Sequence, residues 1–176
     1  MFALRSAILA VYDRNGKKLR VYDHGVLIES VRLTYAQGAV AGLCGGVAMA
    51  LAMMALSAGV RQSVWSMPQR LAGIILGPGV KERGAVPIAL GLAMHAVFSI
   101  GFGVLFALVV NRLTHEFWMT GLAYGLTLWV FNYWFAQLTP GGRSMTELKT
   151  SWLSPIAHAV YGGVMAAIAI AYAAAA

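Results

Sequence analysis

Four long runs without a charged side chain constrain the fold of this sequence more than any other feature. Each run exceeds the roughly 20 residues that an α-helix needs to cross a hydrocarbon core about 30 Å thick. Charged residues make up only 11% of the chain, whereas a soluble domain carries about 25%. The sequence therefore predicts an all-α membrane protein, a bundle of four transmembrane helices. We place the spans at about Thr34–Ala58, Ala85–Val110, Phe117–Thr139 and Trp152–Ala175.

The first 33 residues differ from the bundle, which we assign to 34–176. Stretches rich in Val, Ile, Leu and Tyr alternate there with turn residues such as Asn15-Gly16, a dipeptide that favours a hairpin turn. A second extramembrane segment, about 62–80, is apolar but too short to span, which favours an interfacial or re-entrant helix. For the first segment we expect an ordered extramembrane arm or a short β-meander, with strands at Ala7–Asp13, Lys18–Asp23 and Val26–Leu33.

The net charge of +7 does not indicate a nucleic-acid partner. The basic residues lie almost wholly between the apolar runs, where lipid headgroups are their natural partners. The single cysteine, Cys44, cannot form an intrachain disulfide, and no Cys/His cluster has the spacing of a zinc site. Because the chain also lacks a nucleophile elbow and a phosphate loop, we expect no catalytic residues and no metal.

An internal echo is the most informative motif. His95–Phe98 (HAVF) in the second span matches His158–Tyr161 (HAVY) in the fourth. Each histidine lies on a stripe of small residues spaced four apart, so both are expected to face the bundle. Asn132, on the antiparallel third span, falls at a similar depth. We therefore expect one polar layer of three side chains, within two similar hairpins related by a pseudo-two-fold axis along the membrane normal.

Three interpretations of this polar layer remain open. His95 and His158 suit the axial positions of a b-type haem, which needs one imidazole on each face of the ring. Together with Asn132 they also suit a small pocket for a quinone, a lipid headgroup or a transported solute, with Arg143 and Arg70 at its mouth. Alternatively, these three side chains and Tyr161 hydrogen-bond one another and lock the bundle without any ligand, because buried polar groups in lipid must find partners.

Glycines spaced four residues apart indicate faces where helices approach closely. These faces serve either the bundle itself or an interface with a second copy or a larger complex. The residues are Gly38, Gly42 and Gly46 in the first span and Gly121 and Gly125 in the third.

The pattern of four spans, with a histidine in the second and His158, Tyr161 and Gly162 in the fourth, resembles uncharacterised bacterial inner-membrane proteins of the YagU-like type. The resemblance covers about residues 34–175 and implies a bacterial inner-membrane bundle without a specific activity. We therefore expect a non-enzymatic accessory or structural subunit of a larger membrane assembly, with respiratory and photosynthetic complexes as candidates. Its partners would be the lipid bilayer and other membrane subunits or a second copy. The alternatives are a haem-bearing electron carrier that uses His95 and His158, and a small transporter.

Overall fold

The computed structural model describes residues 10–12, 18–20, 32–77, 79–80, 84–113, 117–138 and 152–174. Two three-residue strands, β1 (Ala10–Tyr12) and β2 (Lys18–Arg20), pair in antiparallel register. Most of the third predicted strand, Val26–Leu33, lies outside the described residues, so the meander as a whole stays a prediction. Five helices follow the strands: α1 (Tyr35–Gly59), α2 (Ser66–Leu76), α3 (Val86–Leu113), α4 (Phe117–Gln137) and α5 (Leu153–Ala174).

Three of the described helices are long and apolar enough to cross a membrane: α1, most of α3 and most of α5. The prediction of a helical membrane protein is therefore confirmed at this level. The predicted third span, Phe117–Thr139, is the exception. It forms α4 and contains no charged residue, but it is not among the candidate spans. Its many Trp, Tyr and Thr side chains and Asn132 carry N–H and O–H groups that lower its hydropathy, so three of the four predicted spans meet this criterion.

The start of α1 is fixed by two sets of hydrogen bonds. Thr34 and Gln37 form a capping box, in which each side chain accepts a hydrogen bond from the other residue's backbone N–H. The Asn111 side chain, near the end of α3, accepts from the Leu33 N–H and donates to the Leu33 carbonyl, both at 2.9 Å. These bonds anchor the entry of α1 beside the end of α3.

The segment predicted as interfacial, 62–80, contains the 11-residue helix α2. One face of α2 is buried and includes Pro68, whose carbonyl lies directly against Gly91 of α3. Ile75, in the last turn of α2, is exposed. The helix ends at Gly77, whose φ of 74° is outside the helical range. Glycine suits this position because a residue with a side chain is strained in this conformation.

Three close helix pairs define the bundle, in the spatial order α3, α1, α5, α4. On α1, Gly42 lies against Gly103 and the Ser99 carbonyl of α3. On α4, Gly125 lies against the His158 carbonyl of α5 in the same way. The sequence left open whether the glycine faces pack within the bundle or against another chain. All of them pack within the bundle: Gly38, Gly42 and Gly46 against α3, and Gly121 and Gly125 against α5.

The centre of the bundle is filled where α1 meets α5. Gly45 of α1 packs on Tyr161 and Met165 of α5, and the surrounding core includes Met49 and Ala157. The remaining pair, α3 and α4, makes few contacts. The ring of four helices is therefore closed on three sides and open on the fourth.

Candidate ligand-binding cleft between α3 and α4

A cavity of about 350 Å³ occupies the open side of the bundle. Its volume lies in the range of about 300–1,000 Å³ that is typical of small-molecule sites. Aromatic side chains form much of the wall, and three that are about half exposed, Phe98, Phe131 and Phe135, mark an opening between α3 and α4. Met67, Leu71 and Ile74 of α2 cover another side.

The structure places His95, Asn132 and His158, the three residues of the expected polar layer, around this one cavity. His158 is buried, while His95 and Asn132 are partly exposed. Asn132 Nδ2 lies 3.4 Å from His158 Nε2. His95 makes its hydrogen bond elsewhere, with Nε2 at 3.0 Å from the carbonyl oxygen of Gly46. The three side chains therefore share a cavity without forming one continuous network.

Hydrogen bonds to backbone carbonyls define the tautomers of both histidines. A carbonyl oxygen only accepts, so His95 carries its hydrogen on Nε2 and His158 carries its hydrogen on Nδ1, which lies 2.8 Å from the Ser154 carbonyl. In the neutral rings, Nδ1 of His95 and Nε2 of His158 are then acceptors. Because His158 Nε2 accepts, the Asn132 amide must face it with its N–H group, which leaves Oδ1 of Asn132 available.

Two tyrosine hydroxyls tie other helices to α3; Tyr161 was expected to bond within the polar layer and instead bonds a backbone carbonyl, and Tyr124 was not predicted. Tyr161 of α5 donates to the Ser99 carbonyl at 2.9 Å, and Tyr124 of α4 donates to the Phe102 carbonyl at 2.7 Å. Tyr161 lines the cavity and Tyr124 does not. Tyr161 stood within the HAVY echo, whereas no motif marked Tyr124.

The sequence echo has a counterpart in the contacts. If His95 corresponds to His158, then Ser99 corresponds to Gly162 and Gly103 to Ala166. Gly42 packs on the Ser99 and Gly103 pair, and Gly121 packs on the Gly162 and Ala166 pair. Gly46 lies against His95 and Ser99, and Gly125 lies against His158 and Gly162. The pairs α1–α3 and α4–α5 are therefore similar antiparallel hairpins, as expected for the proposed repeat.

One of the positions at which the two halves differ lies between α3 and α4. If Gly42 and Gly46 match Gly121 and Gly125, Gly45 matches Tyr124. Gly45 allows α5 to close on α1. At the matching place the Tyr124 ring stands between α4 and α3 and packs on Phe106 at a centroid distance of 5.3 Å. A large side chain therefore stands between α3 and α4, whereas their counterparts meet at a glycine.

Haem binding at this site would require a rearrangement of the polar layer. Bis-histidine ligation would use the acceptor atoms, Nδ1 of His95 and Nε2 of His158, and Asn132 would have to leave His158. His158 Nδ1 donates a hydrogen bond to the Ser154 carbonyl. In metal sites, a hydrogen bond of this type orients an imidazole that ligates through its Nε2 atom. Among the described residues, no group of three or more Cys, His, Asp or Glu side chains is placed to hold a metal ion.

No protein-family model, curated protein or solved structure matches this chain. The resemblance to YagU-like proteins therefore stays a prediction, and the cleft must be interpreted from its own chemistry.

Proposed function

We propose that this chain is a non-enzymatic membrane protein that binds a small, largely apolar molecule in the α3–α4 cleft. The observation that carries the proposal is the cavity of about 350 Å³, which has an apolar wall and a few convergent polar groups. This combination is characteristic of ligand pockets. A core that served packing alone would gain stability by closing, because close contacts between side chains are lost around a void.

The test is to identify molecules that co-purify with the full chain in mild detergent, by mass spectrometry of the intact complex. Ser154 lines the cavity, so Ser154→Phe should fill part of it and reduce the bound molecule. Thr127→Phe is the matched control, because Thr127 is exposed on α4 and lies outside the cavity. Equal retention of ligand in the two variants, or binding of bulk detergent and lipid only, would contradict the proposal.

A second candidate is the accessory or structural subunit of a larger membrane assembly, with the cleft receiving a helix of a partner subunit. Its support is the half-exposed aromatic rim of the cleft; the glycine faces no longer support it, because they pack internally. A photo-crosslinking residue at Phe98, compared with one at exposed Val97, distinguishes the candidates. A crosslinked protein specific to position 98 favours the subunit, and a crosslinked small molecule favours the ligand.

The electron-carrier alternative is tested by spectroscopy. Protein expressed with supplied haem should show a Soret band that shifts on reduction if His95 and His158 hold haem b. A protein without such a band does not act as this carrier. The transporter alternative requires solute flux in liposomes that His95→Ala abolishes.

We further propose that α4 lies in the membrane as a fourth span. Its support is the close backbone packing of Gly121 and Gly125 on α5, which is itself a candidate span. The exposed Trp118 and Trp134, near the two ends of α4, suit the interfacial belts. A bacterial inner membrane is proposed from the YagU-like resemblance alone. Cysteine accessibility at 118 and 134, in a Cys44→Ser background, tests the span, and membrane fractionation tests the location.

A further inference from the structure

The polar groups around the cleft leave a defined set of hydrogen-bonding atoms for a ligand. His95 Nδ1 and Asn132 Oδ1 are acceptors, and neither has a hydrogen-bond partner within the part of the chain that the structure describes. The Tyr161 hydroxyl donates its hydrogen to Ser99, so towards the cavity it offers only lone pairs. The second Asn132 N–H can donate, and so can other groups of the lining: the hydroxyls of Ser99 and Ser154 and the indole N–H of Trp129. The two acceptors without a partner, His95 Nδ1 and Asn132 Oδ1, call for a donor on the ligand.

The charge of the cavity wall also limits what can bind. No Asp, Glu, Lys or Arg is among the described residues that line it. Burying an ionised group in such surroundings without a partner is strongly unfavourable. A fatty-acid carboxylate or a phosphodiester headgroup is thus a poor fit at the polar layer, whereas an uncharged hydroxyl satisfies an acceptor there without introducing charge.

We propose that the cleft binds a neutral lipid alcohol, a molecule with an apolar body and an uncharged hydroxyl that donates to Asn132 Oδ1 or His95 Nδ1. The body lies against the rings of Phe98, Phe102 and Phe131, which line the same cavity. This inference rests on the proposed function and adds the chemical class of the ligand. Two sources share this chemistry: an alkylated hydroquinone and a diacylglycerol.

The test uses the full chain in phosphatidylcholine nanodiscs and pairs of probes that differ only at the hydroxyl. One pair is an alkyl hydroquinone and its dimethyl ether, and the other is a diacylglycerol and its acetate ester. Binding is followed by intrinsic fluorescence, since Trp129 lines the cavity. We expect saturable binding in which the free hydroxyl form of one pair binds about three- to tenfold more tightly, the effect of one hydrogen bond. The pair that shows the difference identifies the source.

A variant pair assigns the effect to the polar layer. Asn132→Leu keeps a similar side-chain volume and removes the acceptor, so the preference for the free hydroxyl should fall by at least half. Thr127→Val removes a hydroxyl from an exposed position of the same helix, where it bonds only the Ala123 carbonyl, and should leave the preference unchanged. If Asn132→Leu does not fold, the wild-type comparison of paired probes still decides.

The outcomes separate this inference from the proposed function. Equal saturable binding of both members in both pairs overturns the hydroxyl inference and leaves the ligand-binding cleft intact. Tighter binding of the blocked members also overturns the inference. The absence of saturable binding by every probe overturns it too, and if no molecule co-purifies with the chain either, the proposed function fails with it.

Discussion

The interface between α1 and α5 and the interface between α3 and α4 occupy matching places in the two hairpins, but only the first is closed. At the closed interface Gly45 lets the Tyr161 and Met165 side chains come directly against the α1 backbone. At the open interface Tyr124 fills the matching position and the helices meet through rings. In a bilayer, where lipid tails are as apolar as leucine, such close packing is a main source of helix association. The two interfaces therefore differ in side-chain size at a matching position, and the pair with the larger side chain borders the cavity.

The same comparison extends to the polar residues. If Gly45 matches Tyr124, Met53 of α1 matches Asn132 of α4. Asn132 bonds His158 and lines the large cavity, whereas Met53 is buried in the core and lines a second cavity of about 20 Å³. The two matching positions thus differ in the features that a binding site requires: space and an amide acceptor.

The largest expected effect comes from removing the side chain that separates α3 from α4. Tyr124→Gly deletes a ring that packs on Phe106 and should lower the free energy of unfolding by about 3–5 kcal/mol, as for other large-to-small changes of aromatic residues. It should also bring α4 towards α3. Unfolding in detergent measures the first effect, and spin-label distances between exposed positions 97 and 126 measure the second. An unchanged distance would show that Tyr124 does not hold the cleft open.

Much of the fold followed from the sequence because lipid imposes simple rules. Uncharged runs placed α1, α3 and α5 to within a few residues at each end, and four-residue spacing placed His95 and His158 on inward faces. The depth arithmetic brought Asn132 to the same cavity. Each of these inferences needed only distances along one helix.

The cleft did not follow from the sequence, because it depends on how two residues in different hairpins compare. Nothing in the HAVF and HAVY echo marks Gly45 or Tyr124, and a tyrosine within a span is equally consistent with an interfacial or a packed ring. Absence of charge also overstates the hydropathy of α4. All four runs lack charged residues, but the amphipathic side chains of α4 take its hydropathy below that of the other three long helices.

The next effect in size comes from the closed interface. Gly45→Leu introduces a branched side chain where even a Cβ atom would lie 3.1 Å from Tyr161 and 3.2 Å from Met165. Overpacking of this kind should lower the free energy of unfolding by about 1–3 kcal/mol. Gly101→Ala on α3 is the control, because a Cβ atom there meets nothing within 4 Å. It should stabilise the helix by about 0.5–1 kcal/mol. Loss of stability in both variants would mean that any replacement of a helical glycine destabilises the bundle, and the loss in Gly45→Leu could not then be assigned to the α1–α5 contact.

The smallest effect separates the two tyrosine hydroxyls, which both donate to carbonyls of α3. Tyr161→Phe and Tyr124→Phe each remove one hydrogen bond between helices while keeping the ring. Such bonds contribute about 0.6 kcal/mol on average in membrane proteins, so the two variants should lose similar, small amounts of stability in detergent. Ligand binding should distinguish them, because Tyr161 lines the cavity and Tyr124 does not. Affinity for the co-purifying molecule should change in Tyr161→Phe and stay constant in Tyr124→Phe. If both variants changed the affinity equally, the hydroxyls would act only by holding their helices to α3, and the Tyr161 hydroxyl would have no direct part in recognition.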